Sequence, residues 1–600
     1  MPSYQAPVKD MKFVLEELLN IYQYRGKVAS FESLDSDIVD AILGEAGRLT
    51  EEVVAPTNII GDEEGCRFSN GEVFTPEVYK DVYKQWCEGG WNSIGLPTEY
   101  GGQGMPYVLT IAVNEMLSAA NQAFAMFPGL TNSAIMAIET WASDELKAKY
   151  LPKMVSGHWT GTMNLTESHC GTDLGLLRTK AEPVGDGSYK ITGTKIFISA
   201  GEQDLTENII HLVLARLPDA PGGVKGISLF LVPKFMVHED GSLGKRNGVM
   251  AGNIEKKMGI KSSPTCVMNF DGGIGWLVGA PNKGLQAMFT MMNEARIGVA
   301  LQGLAQSEVA FQNAAHYANH RTQGRALTGT VATDKQADPI IVHPDVRRML
   351  LTVRSFNEGA RAMLMETALR ADLAHGLDDE DVVKEHDDYL ALMTPILKGY
   401  FTDQGFANTN ESLQVFGGHG YIHEWGMEQF LRDARIAQIY EGANGVQALD
   451  LIGRKLPQGF GRLLRRFFHP LSEWLEQNAM NPKMKDYAMP LMRAFTKLQQ
   501  ATGYVAEKGM VNPNDAAAGS VHFMHMFGIV AVGYQWVKIA QIAHAKLAEG
   551  TDDPAFYRDK LTLAKFYMEQ YLPDVSALLG KIQSGSETMM HMDADRFHVA

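Results

Sequence analysis

The spacing of apolar residues along the chain separates helical regions from strand-like regions. From about Ser36 to Ser156 apolar positions recur every three or four residues, a spacing typical of amphipathic helices. Between about Trp159 and Leu277 the pattern changes to short β-branched and apolar runs that end at turn residues, which indicates strands. Because no helical segments separate these runs, the pattern favours an antiparallel barrel or sandwich over a parallel nucleotide-binding sheet.

Helical spacing returns from Gly284 to about Leu456 in four long blocks, which predicts a four-helix bundle. A break that contains glycine and proline then precedes a further helical region. The predicted domains are an N-terminal helical extension (1–35), a helical domain (36–158), a β domain (159–280), a four-helix bundle (281–456) and an additional C-terminal helical domain (457–600). The predicted fold class is therefore mainly α with a central β domain.

Composition narrows the class of protein. The 600 residues are 45% hydrophobic and 21% charged, which is typical of globular proteins. The formal charge is −16 and basic residues form no dense run, so nucleic acid is not an expected partner. The four cysteines are scattered without C-x-x-C pairs, which fits a reducing cytoplasm. No apolar stretch suggests a secretory signal or the roughly 20 residues that span a bilayer, so we expect no transmembrane segment.

Two segments near the β domain could hold a flat heteroaromatic cofactor. In NLTESHCGTDLG (164–175) the Thr166 hydroxyl can hydrogen-bond a ring heteroatom, and Gly171 permits close approach of the backbone. In TGTKIFISAGEQD (192–204) Phe197 and Ser199 are two residues apart, so a regular strand would place both side chains on one face. Taken alone, these segments are also typical of a polar turn and of ordinary strand alternation.

The third segment, QVFGGHGYIHEWGMEQFLRDARIAQIYEGANG (414–445), is glycine-rich and ends in a carboxylate. It is not a dinucleotide fingerprint, because the G-x-G-x-x-G spacing fails at His423 and no strand precedes it. Glu441 stands beside Gly442 at a helix break, from which a carboxylate can point into a cleft and serve as a general base. An isolated Y-E-G is most often a solvated helix end.

Together these segments, over about residues 36–455, resemble the acyl-CoA dehydrogenase family. The resemblance implies FAD as the cofactor and Glu441 as the base. It places Thr166, Phe197 and Ser199 at the FAD, and Thr172 near the FAD or the CoA phosphates. It also places Arg321, Gln414, Gly417 and Gly418 at the FAD of a neighbouring subunit, and Asn293, Arg296 and Gly442 near the substrate. No metal site is expected, because His522 and His525 lack further ligands at a recognisable spacing and are interpreted as packing or surface residues.

The implied reaction is α,β-dehydrogenation of an acyl-CoA to a trans-2-enoyl-CoA, of the fatty acid β-oxidation type, with hydride transfer to flavin N5. The resemblance also implies that the backbone N–H of Glu441 and the ribityl 2′-hydroxyl polarise the thioester carbonyl. It further implies an electron-transferring flavoprotein as electron acceptor and either a homodimer or a dimer of dimers, of which the extra C-terminal domain favours the homodimer. Three alternatives stay open: 3-methylthiopropionyl-CoA as the substrate, as for some large bacterial members; an oxidase that uses O₂; and a flavin-containing nucleic-acid-binding or scaffold relative.

Overall fold

A computed structural model describes residues 2–598 of the chain. Two compact units are present. One combines the chain up to Gly44 with the chain from Val299 onward, and the other spans Glu45–Gly298. Each unit is described by itself below.

Helices account for most of the described chain. In chain order the α-helices are α1 (Val8–Lys12), α2 (Ser36–Leu49), α3 (Thr57–Glu64), α4 (Val78–Glu88), α5 (Tyr107–Ala120), α6 (Gln122–Trp141), α7 (Asp144–Val155), α8 (Gly284–His320), α9 (Pro344–Gly376), α10 (Glu380–Val415), α11 (Met427–Arg435), α12 (Asn444–Asp450), α13 (Arg462–Asn478), α14 (Lys485–Val511), α15 (Pro513–Glu549), α16 (Pro554–Gln570), α17 (Asp574–Gln583) and α18 (Glu587–His591). The strands all lie in the unit that spans Glu45–Gly298. They are β1 (Arg67–Ser69), β2 (Glu72–Phe74), β3 (Trp159–Asn164), β4 (Lys180–Pro183), β5 (Ser188–Ser199), β6 (Asn208–Ala215), β7 (Ser228–Pro233), β8 (Phe235–Val237), β9 (Leu243–Arg246), β10 (Val249–Ile254) and β11 (Thr265–Val278).

The main sheet has the strand order β3-β6-β7-β11-β5-β4, and β10 also pairs with β11. Neighbouring strands run antiparallel except β3 and β6, which run parallel. The predicted antiparallel β domain is therefore present with one parallel pair. That pair is possible because the loop between β3 and β6 is long and contains β4 and β5.

The central strands β6 and β7 are buried along their whole length. Side chains of β6 alternate between two cores, as the period of a strand requires. Ile210 and Leu212 pack into a core shared with α6 and α7, whereas Val213 packs into a second core with Ile198 and Met268. The centre of the sheet is thus covered on both faces.

In the other unit the long helices α9 and α10 pack against each other and against α15 of the C-terminal region. Aromatic packing holds the C-terminal helices together, for example between Phe467 and Phe527, whose ring centroids lie 5.0 Å apart. The fourth predicted helical block is divided: α11 ends at Arg435 and α12 begins at Asn444. Glu441 lies in the gap, because its backbone and that of Gly442 are left-handed and cannot continue a helix.

The mainly α fold class with a central β domain and an additional C-terminal helical domain is confirmed. Helix α15 is the one described helix that is long and apolar enough to cross a bilayer, with a mean hydropathy of 1.4 over its most apolar stretch. Because 72% of that stretch is buried inside the protein, α15 has the properties of a core helix.

Candidate active site

The residues predicted to form the active site lie in both compact units, and each set is described within its own unit. The unit that spans Glu45–Gly298 contains Thr166, Thr172, Phe197, Ser199, Asn293 and Arg296. The other unit contains Arg321, Gln414, Gly417, Gly418, Glu441 and Gly442.

A buried lysine fixes the segment that carries Thr166. The ammonium of Lys195, which is inaccessible to solvent, donates to the carbonyl oxygen of Leu165 at 2.9 Å and to the carboxylate of Glu167 at 2.9 Å. The backbone N–H of Ile196 donates to the carbonyl oxygen of Thr166 at 2.9 Å. The structure therefore brings Thr166 against β5, the strand that carries the predicted aromatic cover.

The carboxylate of Glu167 accepts several hydrogen bonds. Besides the bond from Lys195, it accepts one from the backbone N–H of Arg178 at 2.8 Å and one from the hydroxyl of Thr179 at 2.6 Å. Burial by itself raises the pKa of Glu167, but Lys195 and these donors lower that pKa to about 2. A ring nitrogen of His169 lies 3.6 Å from Oε2 of the same carboxylate.

Strand β5 contains a bulge at Phe197. Between the pairs Lys195/Met268 and Ile198/Cys266, β5 has one residue more than β11. Phe197 adopts a left-handed conformation with φ +60°, and it is 60% exposed. A large aromatic residue in this conformation is strained, and such strain is concentrated at ligand sites. Phe197 is thus both strained and open to a ligand.

Ser199 follows the bulge and is half-buried. Ala200, the next residue, is also left-handed, with φ +51°. The regular alternation that placed Phe197 and Ser199 on one face is interrupted at Phe197, so their shared direction stays a prediction. The bulge was missed because a β-bulge has no signature in the order of apolar and polar residues.

Thr172 lies in an exposed loop that is anchored on both sides. On one side, a ring nitrogen of His169 lies 3.0 Å from the carbonyl oxygen of Leu176. On the other side, the N–H of Gly175 donates to the carboxylate of Asp173 at 2.9 Å. The loop is therefore shaped by local hydrogen bonds and leaves Thr172 at the surface.

The predicted substrate contacts Asn293 and Arg296 lie on α8, one turn apart. Asn293 is exposed, and the guanidinium of Arg296 lies 3.5 Å from its side-chain oxygen. Between them, Glu294 places a carboxylate oxygen in the interior, although part of the residue remains accessible. Burial raises the pKa of Glu294 to about 7, against a smaller lowering by a hydrogen bond from Ser133. Sequence reasoning did not single out Glu294, because a carboxylate between two polar residues of a helix resembles a surface position.

Glu441 adopts a left-handed conformation with φ +57°, and it is half-buried. The side-chain amide of Gln447 donates to the carbonyl oxygen of Glu441 at 3.0 Å and to that of Gly442 at 3.1 Å. The buried ammonium of Lys398 also donates to the carbonyl oxygen of Gly442, at 2.8 Å. Side chains thus replace the helical hydrogen bonds that the chain gives up here.

The glycine-rich segment is held against the end of α8 by aromatic contacts. Tyr317 stacks on Phe416 with ring centroids 4.1 Å apart, and its hydroxyl lies 2.9 Å from a ring nitrogen of His419. Gly417 and Gly418 are exposed, and a Cβ added at either would meet open space. Arg321 and Gln414 are exposed as well. These four residues are accessible on the surface of this unit.

Comparison with known proteins identifies the family. Four family models match the chain in order: Acyl-CoA dehydrogenase, N-terminal domain (40–158), middle domain (162–272) and C-terminal domain (282–456), and Acetyl-CoA dehydrogenase C-terminal like (467–593). The chain therefore belongs to the acyl-CoA dehydrogenase family, whose members are FAD-dependent oxidoreductases that act on a CH–CH group. The resemblance inferred from the sequence, the enzyme class and the cofactor are confirmed.

Among its relatives, a 3-methylmercaptopropionyl-CoA dehydrogenase from Ruegeria pomeroyi is 41% identical over 98% of this chain and 99% of its own. A broad-specificity linear acyl-CoA dehydrogenase from Mycobacterium tuberculosis is 35% identical over the full length of both chains, 100% of each. In fold, the chain is similar to an acyl-CoA dehydrogenase from Bacillus anthracis that was solved with FAD. The TM-score is 0.74 at 21% identity, over 98% of this chain and 93% of that one.

Proposed function

We propose that the protein dehydrogenates an acyl-CoA thioester between Cα and Cβ, and that Glu441 removes the α-proton. The observation that carries this proposal is the left-handed backbone of Glu441. Side chains donate hydrogen bonds to the carbonyl oxygen of Glu441 and to that of Gly442, and so support this conformation. A strained residue persists only where its surroundings over-determine it, and such residues are concentrated at functional sites. Among the candidate residues, only Glu441 combines this support with a group that can act as a base.

The residues at the β domain fit a flavin. Phe197 offers an exposed aromatic ring, and the neighbouring Thr166 and Ser199 offer hydroxyl groups that can hydrogen-bond ring heteroatoms. FAD supplies the redox chemistry when it is bound, because its flavin accepts the hydride that leaves Cβ. Thr166 and Ser199 would orient the ring, and Phe197 would cover it.

Glu441 also has a second role in the proposal. An α-proton beside a thioester is too weakly acidic for a carboxylate unless the developing enolate oxygen is stabilised. The backbone N–H of Glu441 would donate to that oxygen, as the family resemblance implies. The clamped backbone would hold this donor and the carboxylate in a fixed relation, and such alignment provides much of the rate.

We propose two candidates for the acyl group of the substrate. The Mycobacterium relative acts on linear acyl-CoAs, and the Ruegeria relative is named for 3-methylmercaptopropionyl-CoA. Both groups are short or linear thioesters with an α-CH₂, so the same base serves either. Anaerobic flavin reduction with butyryl-, octanoyl-, palmitoyl- and 3-methylthiopropionyl-CoA would separate them by rate.

We further propose that two copies of the chain share each FAD. The exposed set of Arg321, Gln414, Gly417 and Gly418 supports this arrangement, because an open glycine surface flanked by an arginine suits the phosphates and adenosine of a neighbour's cofactor. The reduced enzyme would pass its electrons to an electron-transferring flavoprotein. Slow reoxidation by O₂ would support this acceptor, whereas rapid turnover with O₂ would indicate an oxidase.

The substitution Glu441→Gln tests the base. Glutamine keeps the size of the side chain but cannot accept the α-proton, so flavin reduction by acyl-CoA should slow by about 10²-fold to 10⁴-fold. The flavin spectrum should stay unchanged, because the cofactor contacts are elsewhere. Stopped-flow absorbance under anaerobic conditions measures the rate.

The matched control is Glu424→Gln, an exposed carboxylate in the same glycine-rich segment, which should retain most of the activity. If Glu441→Gln reduces its flavin at the parent rate, the base lies on another helix and the assignment is wrong.

A further inference from the structure

The segment that carries Glu441 is tied at both ends to a single carboxylate. That segment, residues 436–443, joins α11 to α12. The side-chain amide of Gln438 donates to Oδ1 of Asp403 at 2.7 Å, and the side-chain amide of Asn444 donates to the same oxygen at 2.7 Å. Gln438 precedes Glu441 by three residues and Asn444 follows it by three. Asp403, on α10, therefore binds the chain on both sides of the proposed base.

The second oxygen of this carboxylate is held from the C-terminal region. Nε2 of His525, on α15, lies 2.7 Å from Oδ2 of Asp403. Burial raises the pKa of Asp403, but the hydrogen bonds from His525, Gln438 and Asn444 together hold it below its ordinary value. Since an ionised carboxylate only accepts hydrogen bonds, His525 must donate through Nε2–H. His525, which the sequence analysis interpreted as a packing or surface residue, thus has a specific partner.

Close packing between α10 and α15 fixes His525 in this place. A Cβ on Gly399 would collide with Met524, and a Cβ on Gly528 would collide with the ring of Tyr400. The glycine at each contact lets the side chain from the other helix pack directly against its backbone. The ring of His525 also packs edge-on against Tyr400, with centroids 5.7 Å apart. The position of His525 over Asp403 is therefore supported by the packing of Met524 and Tyr400 against these glycines.

We propose that His525 is a positioning residue for the reaction: it orients Asp403, which holds both ends of the Glu441 segment in the geometry for proton abstraction. This inference rests on the proposed role of Glu441. It also assigns a task to the additional C-terminal domain, which contributes a hydrogen-bond donor to the support of the base. His525 itself touches neither substrate nor cofactor in this proposal.

Two substitutions of His525 separate its hydrogen bond from its bulk. His525→Phe keeps an aromatic ring against Tyr400 but loses the donor, whereas His525→Gln keeps a side-chain N–H. Flavin reduction would be measured by stopped flow on the holoenzyme, with whichever of butyryl-, octanoyl-, palmitoyl- and 3-methylthiopropionyl-CoA reduces the parent fastest. Because misplacement of a catalytic group by about 1 Å can cost about 10²-fold, the phenylalanine variant should react about 10-fold to 100-fold more slowly.

The half-saturating acyl-CoA concentration and the flavin spectrum should change little, because the binding residues are untouched. The glutamine variant should recover most of the rate. His522→Phe is the matched control, since His522 lies one turn away on α15 and makes no hydrogen bond to residues 436–443 in the described chain. It should react at the parent rate.

The inference is overturned if His525→Phe reduces its flavin at the parent rate, or if both His525 variants are slowed equally. Glu441→Gln tests the base independently of this outcome. If His525→Phe does not retain FAD, the rate of flavin reduction is measured in Asp403→Asn instead. This variant keeps one oxygen acceptor at position 403 and loses the other. A parent rate in that variant also overturns the proposal. A parent rate in Glu441→Gln would instead refute the base itself.

Discussion

The ammonium of Lys398 donates to the carbonyl oxygen of Gly442 at 2.8 Å, directly after the proposed base. The same ammonium donates to the side-chain oxygen of Asn444 at 2.8 Å. Lys398 is inaccessible to solvent. Burying an ammonium is costly unless it is hydrogen-bonded, and these two oxygens are among the acceptors that hold it.

Lys398→Met should remove this donor while keeping most of the volume of the side chain. The carbonyl of Gly442 would lose a buried hydrogen bond, at a cost of about 1–3 kcal/mol, and flavin reduction by acyl-CoA should slow while FAD stays bound. Stopped-flow reduction and thermal unfolding measure the two effects. Lys384→Met, an exposed position on the same helix, is the control and should change neither.

Phe197→Gly should separate backbone strain from cofactor binding. Glycine adopts φ +60° without strain, so the FAD-free protein should gain up to about 1 kcal/mol of stability. The aromatic cover would be lost, so FAD should dissociate more readily. Asn70→Gly relieves a left-handed residue in the β1–β2 hairpin, with φ +52°, and should leave FAD affinity unchanged. Equal FAD affinity in Phe197→Gly and the parent would exclude Phe197 from the flavin site.

The sequence predicted the order of domains because apolar spacing reports directly on helices and strands. It could not predict features that depend on contacts between distant residues. Lys195 and Lys398 stand in otherwise apolar runs, which is a signal of a buried cation, but their partners are visible only in the structure. His525 and Asp403 lie 122 positions apart, so their pairing has no local pattern. The bulge at Phe197 is equally hidden, because one extra residue in a strand leaves composition unchanged.

A buried cluster of charges joins α1 to the C-terminal helices. Asp10 pairs with Arg361 of α9 and with Lys560 of α16. Burial raises the pKa of Asp10, but Lys560 and Arg361 hold it below its ordinary value. The cations have second partners: Glu358 lies 2.7 Å from Lys560, and Glu308 lies 3.2 Å from Arg361. Asp10 is therefore a buried ionic anchor of the N-terminal extension.

Asp10→Asn should lower the free energy of unfolding by about 3 kcal/mol, the lower end for breaking a buried pair, because each cation keeps one carboxylate. Thermal unfolding and limited proteolysis of the N-terminal segment would detect the loss. Asp37→Asn is an exposed control in the same part of the chain. Should Asp10→Asn unfold at the parent temperature with an equally protected N-terminal segment, the cluster does not hold the extension.

The last prediction concerns the pH dependence that Glu294 gives to stability. Its pKa is raised by burial from 4.5 to about 7, so the folded protein holds this proton more tightly than the unfolded chain does. The contribution to stability is complete below about pH 4.5 and is lost as pH rises through about 7. A pKa shift of this size corresponds to a loss of about 3 kcal/mol in the free energy of unfolding once the carboxyl is ionised.

Glu294→Gln should remove this loss, because a glutamine stays neutral at every pH. The apparent unfolding midpoint of the holoenzyme would then fall less between pH 5 and pH 8 than that of the parent, and the two curves should diverge toward pH 8. The control is Glu182→Gln, an exposed carboxylate on β4, whose curve should follow that of the parent. Parallel curves for Glu294→Gln and the parent would show that the carboxyl ionises as freely in the folded protein as in the unfolded chain. Glu294 would then be a solvated residue of α8 and not a buried acid.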